Sequence, residues 1–91
     1  MTMEAALEAL PLALEMARSG NPASASDAGV AALAATAGIR GAALNVRINA
    51  AGLKDREAAA KLTGRAAEII ATAQKLETEI LTLVNQHIDH E

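Results

Sequence analysis

Apolar residues recur along the start of the chain with a helical rhythm. Met3, Leu7, Leu10, Leu14 and Ala17 follow alternating four- and three-residue steps, so they share one face and predict a helix from about Met3 to Arg18. Pro11 lies inside this pattern. A proline in a helix removes one amide donor and crowds the preceding turn, so the helix is expected to kink or to start there. Ser19-Gly20-Asn21-Pro22 reads as a stop signal, because Gly and Asn tolerate a left-handed C-cap and Pro cannot continue the helix. Ser26 or Asp27 is then expected to cap a second helix that runs to about Ala50 and ends at Gly52, with Leu53 folding back over the last turn. Asp55 is expected to cap a third helix, with Glu57 favourable in its first turn. There Leu62, Ala66, Ile69, Ala73, Leu76, Ile80, Leu83 and His87 keep the same spacing, a seam that Ile70 and Val84 widen. Lys61, Arg65, Glu68, Lys75 and Glu79 occupy its other faces.

The second helix has a different pattern. Its larger apolar residues, Val30, Leu33, Leu44 and Ile48, together with Ala37, predict the face that packs into the core. Nearly everything else on it is Ala or Gly. A glycine inside a helix costs about 1 kcal/mol relative to alanine, so Gly38 and Gly41 call for the close approach of a neighbouring helix or, at lower odds, of a ligand. The expected fold is therefore all-α: a single helical domain over residues 1–91, an antiparallel bundle of three helices. The two longer helices pack through the short Ala51–Lys54 connection, and the first lies across their open apolar face.

Composition narrows the function. The chain has 91 residues, 52% of them apolar, yet none is aromatic. Twenty-four are Ala, which adds little burial per residue, so the core is thin and help from oligomerisation or from a missing N-terminal half is expected. A net charge of -3 without a basic run or an aromatic argues against nucleic acid. The absence of Cys removes disulfides, zinc ribbons and thiol nucleophiles. Uninterrupted apolar runs are short, so no membrane span is expected. Glu4 and Glu8 without a basic segment do not suit a signal peptide, and a cytoplasmic location is expected.

A few polar residues are candidates for chemistry. Asn45 and Asn49 are four apart and share a helical stripe with Gly38, Gly41 and Ala42. Asn competes with helical backbone bonds, so two of them among small residues suggest either a polar patch in a ligand groove or a pair of interhelical hydrogen bonds. Asp27 has the same azimuth as Asn45 but lies roughly 27 Å away along the axis. An antiparallel second chain would bring one chain's Asp27 near the other's Asn45; for Asp27 alone, helix capping is the simpler role. Arg40 and Arg47, seven apart, suit either an anionic ligand or solvent. His87 and His90 flank Asp89 without further ligands in evidence, so no metal site is expected.

The strings Ser19-Gly20-Asn21, Ser26-Asp27-Ala28-Gly29-Val30-Ala31-Ala32-Leu33, Ala42-Ala43-Leu44-Asn45-Val46-Arg47-Ile48-Asn49 and Gly52-Leu53-Lys54-Asp55 resemble the cyclodeaminase/cyclohydrolase family. The resemblance is densest over residues 19–55 and extends over roughly the C-terminal 75 residues. It implies an all-helical dimeric fold and a tetrahydrofolate derivative as substrate, with no covalently bound cofactor. It also implies chemistry at the one-carbon bridge between N5 and N10, as methenyltetrahydrofolate cyclohydrolase or formiminotetrahydrofolate cyclodeaminase. Carried onto this chain, it implies Asp27 as helix cap or acid–base group, and Arg40, Asn45 and Asn49 as substrate-binding groups. The family's N-terminal half, with a Pro-Gly-Gly-Gly type motif, has no counterpart here, and no aromatic offers a stacking surface for a pterin. The expected partners are thus a second copy of the chain in a homodimer or higher oligomer, or a separate N-terminal subunit. The competing expectation is a non-catalytic helical oligomerisation module.

Overall fold

The computed structural model describes residues 2–19 and 21–89. Gly20 of the expected stop signal and His90 of the expected histidine pair lie outside them. Three helices follow one another: α1 (Met3–Arg18), α2 (Pro22–Ala51) and α3 (Arg56–Asp89). The molecule is narrow and long, about 55 × 18 × 16 Å. It is the antiparallel all-α bundle that the periodicity predicts.

Each helix begins on a side-chain cap. Thr2 accepts from the Ala5 amide at 3.1 Å, and Asp55 Oδ1 accepts from the Glu57 and Ala58 amides, both at 3.1 Å. The start of α2 corrects the expectation. Asn21 is its cap, with Oδ1 accepting from the Ala23 amide at 3.0 Å, and Pro22 occupies the first turn. A proline needs no amide partner there, so Asn21-Pro22 starts a helix as well as ending one. Ser26 and Asp27 therefore sit inside α2 and cap nothing. α1 runs through Pro11, whose ring is exposed. The expected end of α2 and start of α3 hold, with Gly52 at the C-cap of α2 and Asp55 capping α3. Asp55→Ala should lower stability by about 1 kcal/mol. Thermal melting followed by circular dichroism would read that loss; an unchanged midpoint would contradict the cap.

The core lies where α1 and α3 bring their apolar seams onto α2. From α1 come Met3, Ala6, Leu10, Ala13, Leu14 and Ala17; from α3 come Ala66, Ile69, Ala73, Ile80 and Val84. Leu62 leaves the predicted seam and is 47% exposed. α2 supplies Ala25, Ala28, Ala32, Ala35, Ala43 and a single bulky residue, Ile39. The face predicted for its core side is turned outward: Val30 is 65% exposed, Leu33 52%, Leu44 57% and Ile48 70%, and Ala37 is exposed as well. The reason is volume. α1 and α3 both project Leu, Ile and Val toward α2, and a strip of Ala on α2 leaves room for them at close packing. A helix apolar on every side has no periodicity that tells inside from outside.

Polar groups finish the joints. Buried Thr36 donates its hydroxyl to the Ala32 carbonyl at 2.8 Å. Half-buried His87 places Nε2 2.9 Å from the Ala17 carbonyl, so its N–H ties the last turn of α1 to the end of α3. Arg18 pairs with Glu15 at 3.0 Å and with Glu79 at 3.2 Å, exposed contacts that add little. By length and composition α2 is apolar enough to cross a membrane: a window within Ala23–Ala51 has a mean hydropathy of 1.3, and 33% of it is buried in the bundle. It passes on its mean although its uninterrupted apolar runs are short, because abundant Ala raises the mean even where polar residues break the runs.

Candidate functional site

All four candidate residues project from α2, and all four are exposed. Asp27 stands near the N-terminal end, five helical turns from Asn45, and both point away from the core. Asn45 and Asn49 are stacked one turn apart. Beside them Gly38 and Gly41 face open space, with nothing within 4 Å of where a Cβ would be. The close approach expected at these glycines is therefore not made within the chain.

Arg40 belongs to another face. At about 100° per residue it lies about 140° around the axis from Asn45 and about 180° from Asn49. One chain thus does not bring Arg40 and the asparagines onto a single small ligand. Arg40 instead flanks α3, where it lines a hollow of about 210 Å³ with Ala43, Leu44, Arg47 and Ile70. A second hollow of about 350 Å³ continues from Arg47 toward the connection between α2 and α3, lined by Arg56, Ala50, Ala59 and Thr63 among others. Asp27, Asn45 and Asn49 line neither of these, nor the apolar hollow of about 270 Å³ at the start of α1. That third hollow is framed by Met3, Ala42, Val46, Leu62 and Ile69, where α1 begins and the α2–α3 hairpin extends beyond it.

Two residues gain importance only in three dimensions. Arg56 folds back over the connection and donates from Nη1 to the carbonyls of Ala50, at 3.2 Å, and Leu53, at 3.0 Å. Its place directly after the Asp55 cap was the available signal, since that position faces the end of the preceding helix. His87 is the other, and no local pattern indicates its bond to Ala17. Among the described residues no group of three or more His, Cys, Asp or Glu gathers as a metal site would require.

The model of the formiminotransferase-cyclodeaminase family matches residues 1–68. The chain belongs to this family. As a formiminotransferase-cyclodeaminase relative it is a folate-related cyclodeaminase domain by descent. The match takes in all of α1 and α2 and the first part of α3, whereas the sequence strings had placed the resemblance on the C-terminal 75 residues or so. Asp27, Arg40, Asn45 and Asn49 all fall inside it. No curated protein and no solved structure matches the chain.

Proposed function

We propose that the chain acts on a tetrahydrofolate derivative at the one-carbon bridge between N5 and N10, as a methenyltetrahydrofolate cyclohydrolase or a formiminotetrahydrofolate cyclodeaminase. The observation that carries this reading is the family match, which spans the whole of α2, the helix that holds all four candidate residues. In the hydrolytic reaction, water adds to the bridge carbon and Asp27 takes a proton from it. The carbon–N5 bond then breaks as the new hydroxyl gives up its proton to form the formyl C=O and N5 takes one up, leaving the 10-formyl product. Asn45 and Asn49 offer amide donors and acceptors that orient the ligand, and Arg40 offers a cation to its carboxylates. No resident metal or covalent cofactor enters this scheme. A cytoplasmic location goes with it.

The same reading calls for a second copy of the chain. The accessible surface is 5762 Å², against roughly 5,000 Å² for a compact monomer of this mass. The excess, of the order of 800 Å², is about one side of a standard protein interface. Four of the exposed large apolar residues, Val30, Leu33, Leu44 and Ile48, lie on the outward side of α2, near the open Gly38 and Gly41. Two α2 helices crossing antiparallel on this face bring Asp27 of one chain toward Asn45 of the other. A site assembled this way needs both chains. The reading of the chain as a non-catalytic oligomerisation module draws on the same face, and the assay below separates the two.

Loss of the methenyl absorbance of 5,10-methenyltetrahydrofolate is followed with and without protein. The expected result is a saturable, protein-dependent rate that Asp27→Ala lowers by about 100-fold or more. Asn45→Ala is expected to raise KM with unchanged melting. Ammonia release from 5-formiminotetrahydrofolate tests the cyclodeaminase in the same way. Rates equal to the protein-free control in both assays would overturn the enzymatic reading and leave the oligomerisation module.

A further inference from the structure

The groove between α2 and α3 presents three guanidinium groups and no acid. Arg40 and Arg47 stand two turns apart, about 10 Å along the axis, and line the smaller hollow together. Arg47 also lines the larger hollow with Arg56, so the two hollows form one run toward the α2–α3 connection. The remaining lining is Ala, Leu, Ile and Thr, without a carboxylate. The ion pairs among the described residues use Arg18, Lys61 and Arg65, and leave Arg40, Arg47 and Arg56 without one. In a chain of net charge -3, three cations along one groove with no anion between them stand out from the balanced surface elsewhere.

We infer that this groove binds a small molecule carrying two or more oxyanion groups, with Arg40, Arg47 and Arg56 as its ligands. Arginine suits the task, because its planar fork meets carboxylate and phosphate oxygens in pairs and stays charged at any working pH. Arg56 is already oriented: both of its carbonyl bonds use Nη1, so Nη2 and Nε remain open to a ligand. Arg40 and Arg47 are carried on one long helix, which holds their spacing. The alanines at positions 43, 50, 59 and 60 keep the groove wide enough for the anion to reach the helix surfaces. A nucleic acid fits poorly, since the chain is acidic overall and has no aromatic for a base to stack on. Arg40 is shared with the folate reading, but this site needs only oxyanions and adds Arg47 and Arg56, in a groove that Asp27, Asn45 and Asn49 do not line, so it can hold where the folate reading fails.

Calorimetric titration of the intact chain at low salt, with tripolyphosphate and separately with citrate, tests the inference. At least one is expected to bind saturably. The tripolyphosphate arm reads phosphate groups and the citrate arm reads carboxylates. Arg47→Gln, which touches both hollows, is expected to weaken binding about tenfold, and Arg40→Gln similarly. Arg18→Gln, on the far end of the bundle, is expected to leave it unchanged. The Arg47 and Arg40 side chains are exposed, and circular dichroism would verify that the variants keep their helix content. No saturation with either anion up to millimolar concentration would overturn the site. Equal weakening by Arg18→Gln would overturn it too, by showing diffuse attraction rather than a groove.

Discussion

Ile39→Ala is expected to destabilise the bundle by about 2–5 kcal/mol, enough to unfold much of a domain this small at ambient temperature. Ile39 is fully buried, and among the described residues it is the only fully buried bulky side chain on α2, with Val46 partly buried beside the core. One turn to either side on that helix stand only Ala35, Thr36, Ala42 and Ala43, all small, so no neighbour on α2 has the reach to close the cavity. Ile48→Ala is the matched control. Ile48 is 70% exposed, and its truncation is expected to change stability of the single chain by less than about 0.5 kcal/mol. Urea unfolding followed by circular dichroism measures both. If Ile48→Ala were the damaging change and Ile39→Ala the mild one, α2 would be rotated by about half a turn from its place in this structure.

Replacing Ile48 with Asp is expected to have the second large effect, on assembly rather than on folding. A charge on the outward apolar stripe, at its C-terminal end, would have to be buried without a partner in an antiparallel contact along the length of two α2 helices. Sedimentation velocity is expected to show a dimer or larger species for the unaltered chain and a single chain for Ile48→Asp. Helix content should be retained at concentrations where the single chain still folds. The same change is expected to abolish methenyltetrahydrofolate turnover if Asp27 and Asn45 meet across the contact, although Ile48 is assigned no chemical role. An unaltered chain that sediments as a monomer at high micromolar concentration would overturn both the contact and the shared site.

The outcome for α2 separates the two levels of information. In α1 and α3 the bulky apolar residues fall on one stripe and the charged residues elsewhere, so the stripe predicts the buried face. Met3, Leu10 and Leu14, and Ile69, Ile80 and Val84, are buried accordingly. In α2 the same rule pointed to Val30, Leu33, Leu44 and Ile48, and the structure turns all four outward. The rule ranks faces by hydrophobic bulk, whereas the space between two bulky helices selects for small residues. The Ala-rich side was the better indicator, and it becomes readable only once α1 and α3 are placed on either side of it.

The candidate site divides in the same way. Spacing alone puts Asn45 and Asn49 side by side and Asp27 on their azimuth, and the helix preserves both relations. It also dictates that Arg40 points elsewhere, a consequence of the same geometry that the family resemblance obscured by grouping the four residues together. Helix number, helix ends at Gly52 and Asp55, and the antiparallel course of the chain were written locally, because caps and periodicity act over a few residues. Which side of α2 is buried, the tie from His87 to Ala17, and the joining of Arg56 to the Arg40–Arg47 pair along one groove were decided only by tertiary packing. Each of these depends on which helices lie next to each other and how closely they approach, and no short-range pattern in the chain encodes that.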